Sequence, residues 1–181
     1  MQSPGQSLTF GRMIADRRTS VAFTGHRTYR GAAADALRRT VGELYARGFR
    51  NFLSGMAVGF DLAAAEAVLE LRERVPGVRL VAAVPFRGQE MRFSPADRER
   101  FRRVLAEADS VEVLAPAYHR GCYAVRNDFL VDNARVLVAW YDGSPGGTRY
   151  TVRRALGRGL EVVNLCPAAP VPPAPAPTLF G

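Results

Sequence analysis

The stretch NFLSGMAVGFDLAAAEAVLELR, residues 51–72, decides the fold. Its first four residues read as a short buried strand. A glycine-bearing turn follows, Ser54-Gly55-Met56-Ala57-Val58-Gly59-Phe60-Asp61. An Ala- and Leu-rich helix then runs over 61–74, closed by Pro76-Gly77. Strand, glycine turn and helix in direct succession form half of a βαβ unit.

The same unit repeats on either side. Strands are expected over 20–24, 51–54, 78–84, 110–114, 135–140 and 161–165. Helices are expected over 35–47, 61–74, 94–108, 123–133 and 148–158. The first helix carries Leu37, Val41 and Leu44 on one stripe and stops at Gly48. The run 78–84 is almost continuously apolar, as in a strand covered on both faces. Ser94-Pro95 supplies an N-cap and a proline at the first helical position. Strict alternation predicts an α/β, Rossmann-like parallel sheet of about six strands flanked by helices, in a single domain.

Length and composition agree. The chain has 181 residues, 48% hydrophobic and 23% charged, which suits one globular domain with a true core. Residues 1–18 lack periodicity and read as a flexible lead. The domain is expected over 19–166, and 167–181 as a Pro/Ala-rich, solvated tail. No apolar run is long enough to span a membrane, and the N-terminus has no apolar signal region. Cys122 and Cys166 make no metal spacing, His26 and His119 stand far apart, and no metal site is expected. A reducing cytoplasmic setting is the simple expectation.

The formal net charge is +8, and every basic residue is arginine. A GC-rich genome produces that bias without a functional cause. The excess nonetheless favours anionic partners, because guanidinium forks match phosphate. The arginines are scattered among acids, as on solvated helix faces, so nucleic-acid binding is expected to be weak. A homo-oligomer is compatible with the sequence.

In a parallel sheet of this kind ligands bind beyond the carboxyl ends of the strands. The loops there hold the candidate ligand-binding residues: Gly25, His26 and Arg27; Ser54, Gly55, Met56, Gly59 and Asp61; Pro85, Phe86 and Gln89; Arg126, Asn127 and Asp132; Asp142, Gly143, Gly146, Gly147 and Thr148. Glycine lets a phosphate approach backbone amides, and the following helix N-terminus holds the anion. Gly146-Gly147-Thr148 opens a helix and fits that role. Asp61 suits either a cap or a ribose contact. Tyr118 and Tyr123 suit either base stacking or interior packing. Glu90 is the first candidate for a catalytic acid or base, and Cys122 has no activating partner.

Taken together, Thr24-Gly25-His26-Arg27, the 54–61 loop, Pro85-Phe86-Arg87-Gly88-Gln89-Glu90, Tyr123 to Arg126, Val131-Asp132 and Tyr141-Asp142-Gly143 to Thr148 resemble the YpsA/YoqJ-like proteins of the SLOG superfamily. That superfamily includes the DNA-processing protein DprA and the LOG phosphoribohydrolases. The resemblance spans about 20–165 and implies a Rossmann-like fold with a site for a nucleotide or ADP-ribose-like ligand. It points first to a nucleotide-binding sensor or regulator. A nucleotide-processing hydrolase, cleaving an N-glycosidic or phosphate bond, is the alternative. LOG enzymes carry a glutamate beyond the Gly-Gly turn, where this chain has Thr151. The DprA-like Ser-Gly-Met-Ala-x-Gly-x-Asp loop and Arg126-Asn127 keep single-stranded DNA binding open.

Overall fold

The computed structural model describes residues 16–169; the expectations for 1–15 and 170–181 lie outside the described residues. Six parallel strands alternate with five helices: β1 Ser20–Gly25, α1 Ala34–Ala46, β2 Asn51–Ser54, α2 Phe60–Arg72, β3 Arg79–Val84, α3 Pro95–Glu107, β4 Ser110–Val113, α4 Cys122–Asp132, β5 Val136–Trp140, α5 Gly147–Gly157 and β6 Glu161–Asn164. The sheet order is β4-β3-β2-β1-β5-β6. Every pairing is parallel, with Val21 opposite Val136 and Gly25 opposite Trp140 where β1 meets β5.

The expected boundaries hold to within about two residues, the ordinary uncertainty at helix and strand ends. The start of the domain moves further. Residues expected in a flexible lead form a 3-10 turn, Arg17–Thr19, capped by the Asp16 side chain. Arg17 Nε donates to Ala134 O at 2.9 Å, which ties this turn to the start of β5. At the other end Asn164 Nδ2 donates to Ala169 O at 2.9 Å, so the first residues of the expected tail fold back on β6.

Period-two alternation sorts the strand residues between two core layers. Val21 and Phe23 of β1, Phe52 of β2, Leu80, Ala82 and Val84 of β3, and Val136 and Val138 of β5 face one layer. Leu37, Val41 and Leu44 of α1, Phe60, Leu62 and Val68 of α2, and Phe101 and Val104 of α3 pack there. Ala22, Leu53, Val81, Ala83, Leu137 and Ala139 face the other layer, against Leu130 and Val131 of α4 and Val152 and Ala155 of α5. Each fully buried Leu, Val or Phe contributes about 1.5–3 kcal/mol relative to exposure. That is why the inner strands β3 and β5 read as nearly continuous apolar runs rather than alternating ones. Helix α2 is buried on most of its circumference because it lies between α1 and α3. Its run of alanines allows that close approach.

The chain reverses its direction of travel across the sheet at β1. From β1 it steps through β2 and β3 to the β4 edge, then returns by α4 to β5 on the far side of β1. The carboxyl ends of β1 and β5 therefore diverge into helices on opposite faces. That divergence opens a crevice where such sheets bind ligands. The ends of β1, β2 and β3 and the start of α5 all lie at this one edge, as the strand–glycine–helix alternation predicts.

Candidate functional site

A cleft of about 310 Å³ occupies this switch point. The end of β1 contributes Thr24, Gly25, His26 and Arg27, and the β2–α2 loop contributes Ala57 and Asp61. Helix α4 adds Tyr123, Arg126 and Asn127, and the first turn of α5 adds Gly147 and Thr148. Eight of these eleven were read from the sequence as binding candidates. Thr24 and Ala57 were not among them, although each sits inside a stretch the alternation marks, and Tyr123 was read as suited to either base stacking or packing. A larger hollow of about 570 Å³ lies between α1 and α2. Its charges are largely matched within it: Arg38 pairs with Glu70 at 2.9 Å and Arg100 with Glu66 at 2.8 Å. The smaller cleft lies at the carboxyl ends of the strands, where such sheets bind ligands, and is the candidate site.

Its floor is a buried ion pair. Asp61 is 4% and Arg126 5% exposed. Arg126 Nη1 lies 3.9 Å from Asp61 Oδ2 and donates to Gly55 O, while Nε donates to Asn127 Oδ1 at 2.8 Å. The Ala57 amide donates to Asp61 Oδ2 at 3.4 Å; Asp61 Oδ1 is buried without a hydrogen-bond partner. Burial pushes the Asp61 carboxyl up to about 6, against the opposing pull of the Arg126 charge, the Ala57 amide and the more distant Arg27. Burial also lowers the pKa of Arg126, while Asp61 raises it. Arg126 is counter-charged by Asp61 and tied to Gly55 and Asn127, whereas Arg27 has no ion pair among the described residues, which leaves Arg27 as the freer cation. The Arg27 guanidinium lies 5.1 Å from the centroid of the Tyr123 ring.

The glycines act differently from one another. A Cβ on Gly25 would lie 2.4 Å from Cβ of Phe60, so Gly25 is required by core packing. A Cβ on Gly55 would meet Arg126 Nη1 and Asp61 Oδ2 at 2.7 Å, so this glycine makes room for the ion pair. Gly59 has φ 84° and would press against the carbonyl oxygens of His26 and Arg27 at 2.7 Å. It lets the β1 and β2 loops cross, and Phe60 N donates to His26 O at 3.4 Å at that crossing. In the turn from β5 into α5 the added atom meets open space at Gly146, whose φ is 136°, and ordinary contacts at Gly143 (3.4 Å to Ala169) and Gly147 (3.7 Å to Asn127 Nδ2). The phosphate-approach argument therefore applies to the α5 turn and not to Gly25. No acidic residue lies in the first turn of α5, whose leading amides have no intrahelical partner.

On the β5 side His26 Nε2 lies 2.7 Å from Asp142 Oδ1. The Asp142 amide is 3.3 Å from the same nitrogen. The shorter contact makes Nε2 the protonated nitrogen, donating to the carboxylate. Ser144 donates to Asp142 Oδ1 from its hydroxyl at 2.6 Å and its amide at 2.9 Å. These bonds, with the His26 ring, hold the Asp142 carboxyl below the usual range. Gly143 and Gly146 take positive φ and turn the chain from β5 into α5.

Other candidates fall elsewhere. Ser54 Oγ donates to Asp61 O at 2.9 Å and accepts from Met56 N, so it braces the loop. Met56 is fully buried with φ 59°, and Gln89 Nε2 donates to its carbonyl at 2.6 Å. Pro85 ends β3 and Phe86 is buried, both outside the cleft wall. Asp132 is not at the cleft. It pairs with Arg158 at 2.8 Å and Arg154 at 3.4 Å, across α4 and α5. Glu90 sits in the 3-10 turn Gln89–Arg92 and does not line the cleft. Among the described residues no group of three or more His, Cys, Asp or Glu is arranged to hold a metal, and no helix is long and apolar enough to cross a membrane.

The fold has solved neighbours. DNA processing protein A (DprA) from Streptococcus pneumoniae superposes with a TM-score of 0.58 at 19% identity, over 79% of this chain and 48% of that one. DprA from Helicobacter pylori, whose structure concerns its single-stranded DNA binding mode, gives 0.53 at 14% identity, over 79% of this chain and 63% of that one. The chain thus spans about half to two thirds of those proteins. Among sequences it is 29% identical over 132 residues to a UPF0398 protein of Bacillus thuringiensis (strain Al Hakam), covering 71% of each chain. A UPF0398 protein of Bacillus cereus (strain G9842) is 28% identical over 137 residues, covering 74% of each. The model of the YspA SLOG family matches residues 22–159, from within β1 through α5 and including every wall of the cleft, and the chain belongs to that family.

Proposed function

We propose that the cleft binds a nucleotide or nucleotide-derived phosphate, and that the protein works as a binding module rather than through turnover. One observation carries this reading. The acid-free first turn of α5 opens at Gly147 and Thr148 into the same cleft as Arg27, at the switch point of the sheet. Free amides, the positive end of a helix and a guanidinium are the elements of a phosphate site. Isothermal titration of the protein with nucleoside mono- and diphosphates and ADP-ribose tests it. Arg27→Ala is expected to weaken binding at least tenfold at unchanged Tm. Equal affinity in the variant would remove Arg27 and this cleft from the reading.

A second reading is single-stranded DNA at the same cleft. The Helicobacter pylori neighbour's binding mode and the net charge of +8 favour it. Scattered arginines give phosphate contacts without base readout, so such binding should be non-specific and steeply salt-dependent. A third, nucleotide hydrolysis, would draw on the His26–Asp142 pair at the cleft rim before Glu90.

A further inference from the structure

The loops after β3 and β4 meet beside the cleft in an aromatic cluster. Phe86 is buried, and the rings of Tyr118 and Tyr123 stand nearly perpendicular to it, with centroids at 5.4 and 5.9 Å. Tyr118 and Tyr123 are 6.4 Å apart. Tyr123 forms part of the cleft wall, whereas Tyr118 is 52% exposed. Arg92, from the 3-10 turn after β3, lies 4.4 Å from the Tyr118 centroid, and Arg27 lies 5.1 Å from that of Tyr123. Interior packing accounts for Phe86. It does not account for a half-exposed tyrosine held upright by a buried phenylalanine and an arginine.

The ring planes of Tyr118 and Tyr123 are 58° apart, so a flat base stacks on one ring and meets the other at an angle. We infer that the half-exposed Tyr118 ring is the shelf on which the base of the bound nucleotide stacks, with Tyr123 as its side wall toward the phosphate. The inference rests on the phosphate reading above and adds the part of the ligand that reading leaves open. Tyr123 belongs to both the cleft wall and the aromatic cluster, so phosphate and base subsites are contiguous. An aromatic face flanked by guanidinium groups holds a base by stacking and cation–π attraction. Every base has a π face, so such a shelf takes nucleotides with little preference among bases. It gives nothing to a sugar phosphate that lacks one.

The test compares AMP and UMP with ribose 5-phosphate by calorimetry, on wild type, Tyr118→Ala and Tyr118→Phe. Tyr118 lies in the exposed β4–α4 loop, and a melting curve checks that each variant folds as wild type does. The expected result is that both nucleotides bind wild type more tightly than ribose 5-phosphate. Tyr118→Ala should then lose about 5- to 100-fold toward the nucleotides and nothing toward ribose 5-phosphate, with Tyr118→Phe restoring the nucleotides. Wild type that binds ribose 5-phosphate as tightly as AMP, or Tyr118→Ala that binds AMP as wild type does, overturns the shelf and leaves the phosphate site standing. Binding of none of the three probes overturns both.

Discussion

Replacing Arg126 by Met should expose how much of the domain's stability hangs on the ion pair under the cleft. The substitution keeps an apolar stem but leaves the Asp61 carboxylate buried with only the more distant Arg27 as counter-charge. Breaking a buried pair from one side costs about 3–5 kcal/mol. That is a large share of the roughly 5–15 kcal/mol that holds a domain together. The loss should depend on pH, and the sign follows from Asp61. Burial raises this carboxyl from 3.8 to about 6 in the folded state. Its ionisation therefore opposes folding: the penalty is absent below the unfolded value and complete once pH rises above the folded one. For wild type that amounts to about 3 kcal/mol. Without Arg126 the carboxyl rises further, so at about pH 5 it is neutral and the charge penalty of Arg126→Met largely disappears. What remains there is the Gly55 carbonyl left without its donor, worth about 1–3 kcal/mol. Adding Asp61→Asn should recover part of the loss near pH 7.5. Urea unfolding of the four proteins of this cycle at both pH values measures these differences. Asp142 and Glu161, whose carboxyls are held low, act only below the usual carboxylate range and leave this window clear. A loss from Arg126→Met below about 1 kcal/mol, or one equal at both pH values, would refute a charged, energetically coupled pair.

Gly25→Ala should destabilise by at least about 1–3 kcal/mol, read as a fall in Tm, because its methyl overlaps Phe60. Adding Phe60→Ala should not rescue it, since Cβ of Phe60 is itself in the overlap. Gly147→Val should leave Tm nearly unchanged, its neighbourhood being open, while calorimetry shows nucleotide binding weakened at least tenfold. Binding to single-stranded oligonucleotides, followed by anisotropy, should be weak and fall steeply between low and moderate salt. Tight binding that survives high salt would promote the DNA reading over the nucleotide one.

The fold was legible because burial on both faces writes the inner strands, β3 and β5 above all, as nearly solid apolar runs, and the helices between announce themselves by stripe, cap and glycine stop. The edge at which chemistry gathers followed from parallel topology alone. The cleft was legible only as a set of loops. Nothing in the spacing of Asp61 and Arg126, on different helices, says that they meet. The role of Gly25 is set by Phe60 on another element, and that of Gly59 by carbonyls of the β1 loop. Asp132 looked like a site residue from its neighbours in sequence, yet its place on α4 turns it toward Arg154 and Arg158. Local pattern fixes direction along a strand or helix; which side chains converge depends on the crossover from β4 to β5, which no window of sequence contains.

The position of β1 inside the sheet bears on how the molecule comes into being. One flank of β1 is covered early, by β2. The other stays an unpaired edge until Val136–Trp140 has been synthesised, more than a hundred residues later. An emerging chain that ends after β4 has three of its helices and two thirds of its sheet. It also has a bare row of backbone donors and acceptors along β1, then an edge strand, a template for wrong partners. The cleft does not yet exist at that stage, because α4 and α5 make its far wall. Folding order and completion of the cleft are thus joined. The strand that closes the exposed edge leads directly into α5, whose first turn completes the pocket, so any ligand of the cleft would meet only a chain in which that edge is already closed.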